Sequence, residues 1–101
     1  ESVTGIGEEA FYHCKFQTIT IPERVESIGK EAFRFCESLK SITIPASVKS
    51  IGHGAFDMCE SLKSITYQGT KAQWKEIELG SFFPTAVVHC TDGDWVRNRK
   101  I

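Results

Sequence analysis

The chain has 101 residues, 41% of them apolar and 25% charged, with a formal net charge of −1. That length suits one domain, and the balance is too apolar for a disordered tail and too neutral to point to nucleic acid or an anionic membrane as partner. No apolar run approaches the ~20 residues of a bilayer-spanning helix.

Two stretches are identical. Residues 36–43 read Cys-Glu-Ser-Leu-Lys-Ser-Ile-Thr, and the same letters return at 59–66, 23 positions later. Val25 and Val48, Ile28 and Ile51, Gly29 and Gly52, Ala32 and Ala55, and Phe33 and Phe56 keep the same offset. A fixed period between about 20 and 50 residues marks stacked supersecondary units, each too small to bury its own apolar face.

In chain order, the first unit covers about 3–22. Val3 to Val25 spans 22 positions but Ile19 to Ile42 spans 23, which places a one-residue deletion between Cys14 and Phe16, in a loop. Glu1-Ser2-Val3 carries no leader pattern and enters in mid-repeat, as expected for a piece of a longer array.

The second unit, 23–45, is the clearest. Leu39, Ile42 and Ile44 alternate with Ser41 and Thr43, a short half-buried strand that Pro45 ends. Val48, Ile51, Ala55 and Phe56 bring the apolar side back on the far wall of the third unit, 46–67. Glu31–Cys36 suits one helical or 3₁₀ turn held by packing. Gly29 and Gly52 follow an isoleucine where the chain needs either positive φ or close backbone approach. Alanine beside each phenylalanine leaves room for the ring of the next coil.

The period breaks after Thr66, and 68–101 reads as an end cap within the same domain. Thr70 with Gln73 makes a capping box for a helix over about 71–79, with Trp74 and Ile77 on its inner side. Ser81-Phe82-Phe83-Pro84 is a loop with anchoring aromatics, about 85–90 a strand, and Thr91-Asp92-Gly93-Asp94 a turn. Such a cap covers the apolar end of the last coil, as expected at the C-terminal end of an array.

Cys14, Cys36 and Cys59 share one repeat position, which argues for buried free thiols packed as small hydrophobes rather than for a disulfide framework. His13, His53 and His89 share none, so no zinc set converges. Asp92-Gly93-Asp94 lacks the oxygens a calcium loop needs and reads as a plain turn. Ser41 and Ser64 have no partner ladder of histidines and acids. With no acid/base pair, nucleophile elbow or phosphate loop, no catalytic, cofactor or metal site is read, and no enzyme activity is expected.

The pattern L-x-x-I-T-I-P-x-x-V-x-x-I-G-x-x-A-F-x-x-C at Leu39–Cys59 resembles the BspA-like leucine-rich repeat of bacterial surface proteins, over residues 3 to about 67. Phe16, where leucine is usual, and the shortened first unit are departures. The resemblance implies an α/β, β-rich fold, a right-handed leucine-rich-repeat solenoid of about three 23-residue coils. Its strands would line one concave face. It further implies a secreted or cell-surface adhesion protein without catalysis, whose partner is a protein or glycan of the host or extracellular matrix.

The outward strand rows are then Thr18-Ser41-Ser64 and Thr20-Thr43-Thr66, flanked by Lys40 and Lys63. These eight residues are the candidate contact face, since concave solenoid faces are where such proteins bind. The bland alternative is that small β-branched polar residues suit any exposed strand. Lys40 beside Lys63 carries a small repulsion, which Glu37 and Glu60 are placed to offset. The chain is expected to be a monomer, or an edge-paired dimer when shortened to an open first coil.

Overall fold

A computed structural model describes residues 5–79 and 87–96. Each coil contributes one short strand to each of two sheets. The smaller sheet has the order β1 (Gly5–Ile6), β3 (Ser27–Ile28), β5 (Ser50–Ile51), β7 (Glu78–Leu79). The larger runs β2 (Thr18–Thr20), β4 (Ser41–Ile44), β6 (Ser64–Tyr67), β8 (Val87–Cys90), β9 (Gly93–Val96). All pairs are parallel except β8–β9. The register is the sequence period itself: Thr18 pairs with Ser41 and Ser41 with Ser64, Ile19 with Ile42 and Ile42 with Ile65.

Equivalent side chains therefore share continuous rows inside. Val25, Ile28, Leu39, Ile42 and Ile44, with their third-coil counterparts, are sealed from solvent. The rings of Phe11 and Phe33 lie 5.2 Å apart and tilted by 4°, those of Phe33 and Phe56 5.4 Å apart and tilted by 3°. Ala32 and Ala55, both buried, stand beside this stack as the space-saving residues. Stacking is how a coil with too little bulk for a core of its own obtains one.

The wall between the two sheets departs from the expected helical or 3₁₀ turn at Glu31–Cys36. It is a run of tight turns in which N–H groups point alternately along the coil and across to the next. Ala32, Arg34 and Cys36 N–H donate to Gly29, Glu31 and Phe33 O, while Glu31, Phe33 and Phe35 N–H donate to His53, Ala55 and Asp57 O of the following coil. Reversing direction at every residue requires left-handed backbone, seen at Glu9, His13, Glu31, Phe35 and Met58 with φ of 58°, 65°, 55°, 62° and 61°. Each costs on the order of 1 kcal/mol, which at Glu9, His13, Glu31 and Phe35 is repaid by a bond across the stack. A helix would direct these donors along its own axis and leave the coils without bonds along this wall.

Gly29 and Gly52 serve close approach, not positive φ. A Cβ on Gly52 would lie 2.5 Å from the Lys30 nitrogen, and one on Gly29 would lie 2.7 Å from the Glu8 nitrogen.

The cap is a modified fourth coil. Its helix α1 spans Lys71–Lys75, shorter than the expected 71–79, because the chain leaves the helix to form β7 against β5. The capping box is present: Thr70 Oγ1 accepts from Gln73 N–H, and Gln73 Oε1 from Thr70 N–H. Trp74 is fully enclosed, with its ring 5.1 Å from Tyr67 and 5.9 Å from Trp95. The expected turn at 91–94 is shorter, with Gly93 and Asp94 already in strand β9, which folds back antiparallel on β8 and is the last strand in the order of the large sheet. The Ser81–Pro84 loop and the first two residues of the strand expected at 85–90 lie outside the described residues.

Candidate binding face

Period-two alternation puts Ile19, Ile42 and Ile65 inside and aims their neighbours at solvent. Thr18, Ser41 and Ser64 form one row, and Thr20, Thr43 and Thr66 the next, in register across β2, β4 and β6. All six are exposed or half-buried. Lys40 and Lys63 are exposed at the strand entrances, their N–H groups donating to Gln17 O and Lys40 O. The six hydroxyl residues singled out from sequence thus lie in two adjacent rows, with Lys40 and Lys63 exposed one residue before β4 and β6.

The structure adds two residues. Thr66 pairs with His89 of β8, and His89 with Asp94 of β9. The His89 and Asp94 side chains are joined by a 2.9 Å hydrogen bond between Nδ1 and Oδ1. The hydroxyl row thereby ends in an imidazole–carboxylate pair, both partners exposed. The signal was available: His89 stands 23 positions after Thr66, one period on.

Charge on this face is less balanced than expected. Among the described residues, Lys40 and Lys63 form no ion pair with Glu37 or Glu60; the pairs present are Arg34 with Glu31 and Asp57, on the turn wall, and His89 with Asp94. Two unpaired ammonium groups at adjacent rungs favour an acidic contact.

Elsewhere the chemistry is sparse. The four cysteines are free thiols. Cys14 and Cys36 Sγ lie 3.0 Å apart, Cys36 donates to Phe11 O and Cys59 to Phe33 O. Burial first, then the Cys36 contact, pushes the Cys14 thiol up to about 11. Cys36 is raised through its hydrogen bond with Cys59 and then by burial. Cys59, by contrast, is lowered, first through its hydrogen bond with Cys36 and against the effect of burial, so the three thiols form one hydrogen-bonded ladder along the wall. The carboxylates of Glu8, Glu9 and Glu31 approach within 4.8 Å of one another, a surface acidic group that no histidine or thiol joins. Among the described residues no helix is long and apolar enough to cross a membrane.

The comparisons agree with this geometry. A family model described as the BspA type leucine rich repeat region matches residues 1–91. A solved structure, that of a leucine rich cell surface protein from Faecalibacterium prausnitzii, is similar with a TM-score of 0.74 and 38% identity over 79% of this chain. The match covers 21% of that protein, so the present chain spans about a fifth of its length. No curated protein matches. Parallel coils in the register of the period, a shared interior of Leu, Ile and Phe rows, and the family match together establish that the chain belongs to the BspA-type leucine-rich-repeat family.

Proposed function

We propose that the chain is a non-catalytic binding module of a bacterial secreted or cell-surface protein, and that it contacts a protein or glycan through the exposed strand face. One observation carries this reading: an in-register field of hydroxyls flanked by Lys40 and Lys63, neither lysine neutralised by a described acid. The name of the 38% identical structure supports the location. Hydroxyl rows satisfy polar ligands by hydrogen bonding, and the lysines select those that carry carboxylate or sulfate groups. Host or extracellular-matrix proteins and acidic glycans are the partner class that follows. The chain is probed against arrays of both. Any hit is retested with Thr20, Thr43 and Thr66 replaced together by glutamate, which removes the hydroxyls and repels an acidic ligand, the melting temperature confirming the fold. Loss of binding by tenfold or more is expected; undiminished binding refutes this face.

A second reading rests on the antiparallel strand β9, where the parallel order of the coils stops. In it the chain is a structural spacer and end cap of a longer array, without a ligand of its own. Deleting residues 1–67 from the parent protein separates the two: a spacer leaves the parent's binding unchanged, and a binding module does not.

A further inference from the structure

Cys14, Cys36 and Cys59 occupy the same turn of three successive coils, each N–H donating to the carbonyl of the phenylalanine three residues before it. Backbone bonds one residue earlier fix the spacing of these rungs: His13 N–H donates to Arg34 O at 2.8 Å and Phe35 N–H to Asp57 O at 2.9 Å. The side chains lean one way. Cys36 Sγ donates to Phe11 O and Cys59 Sγ to Phe33 O, each at 3.0 Å and each back across to the coil before. That brings Cys36 Sγ to 3.0 Å from Cys14 Sγ, about 1 Å more than a sulfur–sulfur bond. It also hydrogen-bonds Cys59 to Cys36. Rungs ~4.8 Å apart fall inside the ~4.4–6.8 Å between Cα atoms that a disulfide spans, whereas a gap of two rungs, ~9.6 Å, does not. Cys36 is thus the thiol with a partner on each side. Cys90 shares no rung with them and stands in β8 of the large sheet.

We propose that this ladder is a site of oxidative modification, at which a peroxide produces a single disulfide centred on Cys36, made with Cys59 or with Cys14, that staples two adjacent coils. Entry is at Cys59, which is 9% exposed while Cys36 is sealed, and whose thiol is held below its ordinary range by the Cys36 hydrogen bond. Hydrogen peroxide transfers one oxygen to the Cys59 sulfur and departs as water, leaving a sulfenic acid. The Cys36 sulfur attacks that sulfur, its proton leaves with the displaced hydroxyl as a second water, and the Cys36–Cys59 bond forms. Two thiols have then lost two electrons and two protons, and the peroxide has been reduced to two waters. Cys14, as thiolate, exchanges into this bond by attacking Cys36 and expelling the Cys59 thiolate, with no net change in electrons. Cys36 can hold only one such bond, so either bridge leaves the third thiol of the ladder free. The site is independent of what the strand face binds.

The test treats the folded chain with hydrogen peroxide at mildly alkaline pH, alkylates the remaining thiols and maps the product by mass spectrometry. Expected are the loss of two hydrogens, two of the four cysteines still open to alkylation, and cross-linked peptides that pair Cys36 with Cys59 or Cys14 and no others. The oxidised chain should melt at least ~5 °C higher than the reduced one and return to the starting value with dithiothreitol. Cys14→Ala and Cys59→Ala should each still lose two hydrogens, and Cys36→Ala should form no internal bridge. Where Cys36→Ala fails to fold, the double variant Cys14→Ala with Cys59→Ala keeps Cys36 and is expected to give the same negative result. Oxygen added without a bridge, a bridge to Cys90 or between two chains, an unchanged melting temperature, or an internal bridge surviving in either negative control overturns the proposal.

Discussion

Alanine at Gly7 and alanine at Gly52 are predicted to act with opposite sign, although the two glycines occupy one repeat position. A Cβ on Gly52 would meet only backbone: the Lys30 nitrogen at 2.5 Å and the Gly29 carbonyl carbon and Lys30 Cα at 2.8 Å. Ordinary contact begins near 3.4 Å, so the coils must separate by about 1 Å at a place where a ladder of backbone bonds holds them together. Backbone cannot rotate aside as a side chain can, which puts the cost near the top of the overpacking range, ~3 kcal/mol. For a chain of this size that lowers the melting temperature by about 15 °C. A Cβ on Gly7 meets nothing within 4 Å. Here alanine acts through the unfolded chain and stabilises by ~0.4–1 kcal/mol, a rise of a few degrees. Thermal melts of G7A and G52A, with urea titrations to confirm the free energies, decide the matter. Equal losses at both sites, or a G52A cost under ~1 kcal/mol, would refute the close-approach argument.

The phenylalanine stack gives a graded series. Phe33→Ala removes a sealed ring with neighbours on both sides and should cost ~3–5 kcal/mol, whereas Phe11→Ala, half-buried with one stacked neighbour, should cost about half as much in urea unfolding. Replacing Thr70 by alanine should cost ~1 kcal/mol through the lost N-cap. The double change with Gln73→Ala should be less than additive, since the two residues cap each other. The thiols set an alkaline limit: with Cys14 raised from 9.0 to about 11, the folded state holds a proton that the unfolded state releases, so its contribution is full below about pH 9 and is lost as pH rises to about 11. Melting temperature against pH should show that fall, and Cys14→Val should shallow it.

The period made most of the fold legible because stacking turns a sequence offset directly into a spatial one. Thr43 lies beside Thr20 and Thr66 for the same reason that their letters recur. The left-handed wall was hidden because most of its positions carry Glu, His, Phe and Met; Gly54, with φ of 68°, shows the glycine signature where the earlier coils have Glu9 and Glu31. Geometry there is imposed by the bonds between coils, and a single glycine in the third coil was too little to report it. The cap was half legible. Thr70 and Gln73 announced the helix start, but helix propensity beyond Lys75 lost to the strand pairing that takes Glu78 and Leu79 into the small sheet. On the contact face, composition and alternation identified the hydroxyl rows. The end of the Thr20 row was missed because His89 was read as a cap residue although the period continues to it, and Asp94 joins the row off the period, through the antiparallel strand β9.

Size bears on what this face does alone. Five strands at ~4.8 Å spacing, each about four residues long at ~3.3 Å per residue, span roughly 250 Å² in projection. A stable protein interface takes ~800 Å² from each partner. The shortfall is about threefold, so hydroxyl rows of this extent suffice for a short acidic glycan or one peptide strand but not for a large protein contact. Each added coil widens the face by one strand without changing its chemistry, because the letters recur. If binding belongs to the strand face, its strength therefore grows with the number of coils on the N-terminal edge.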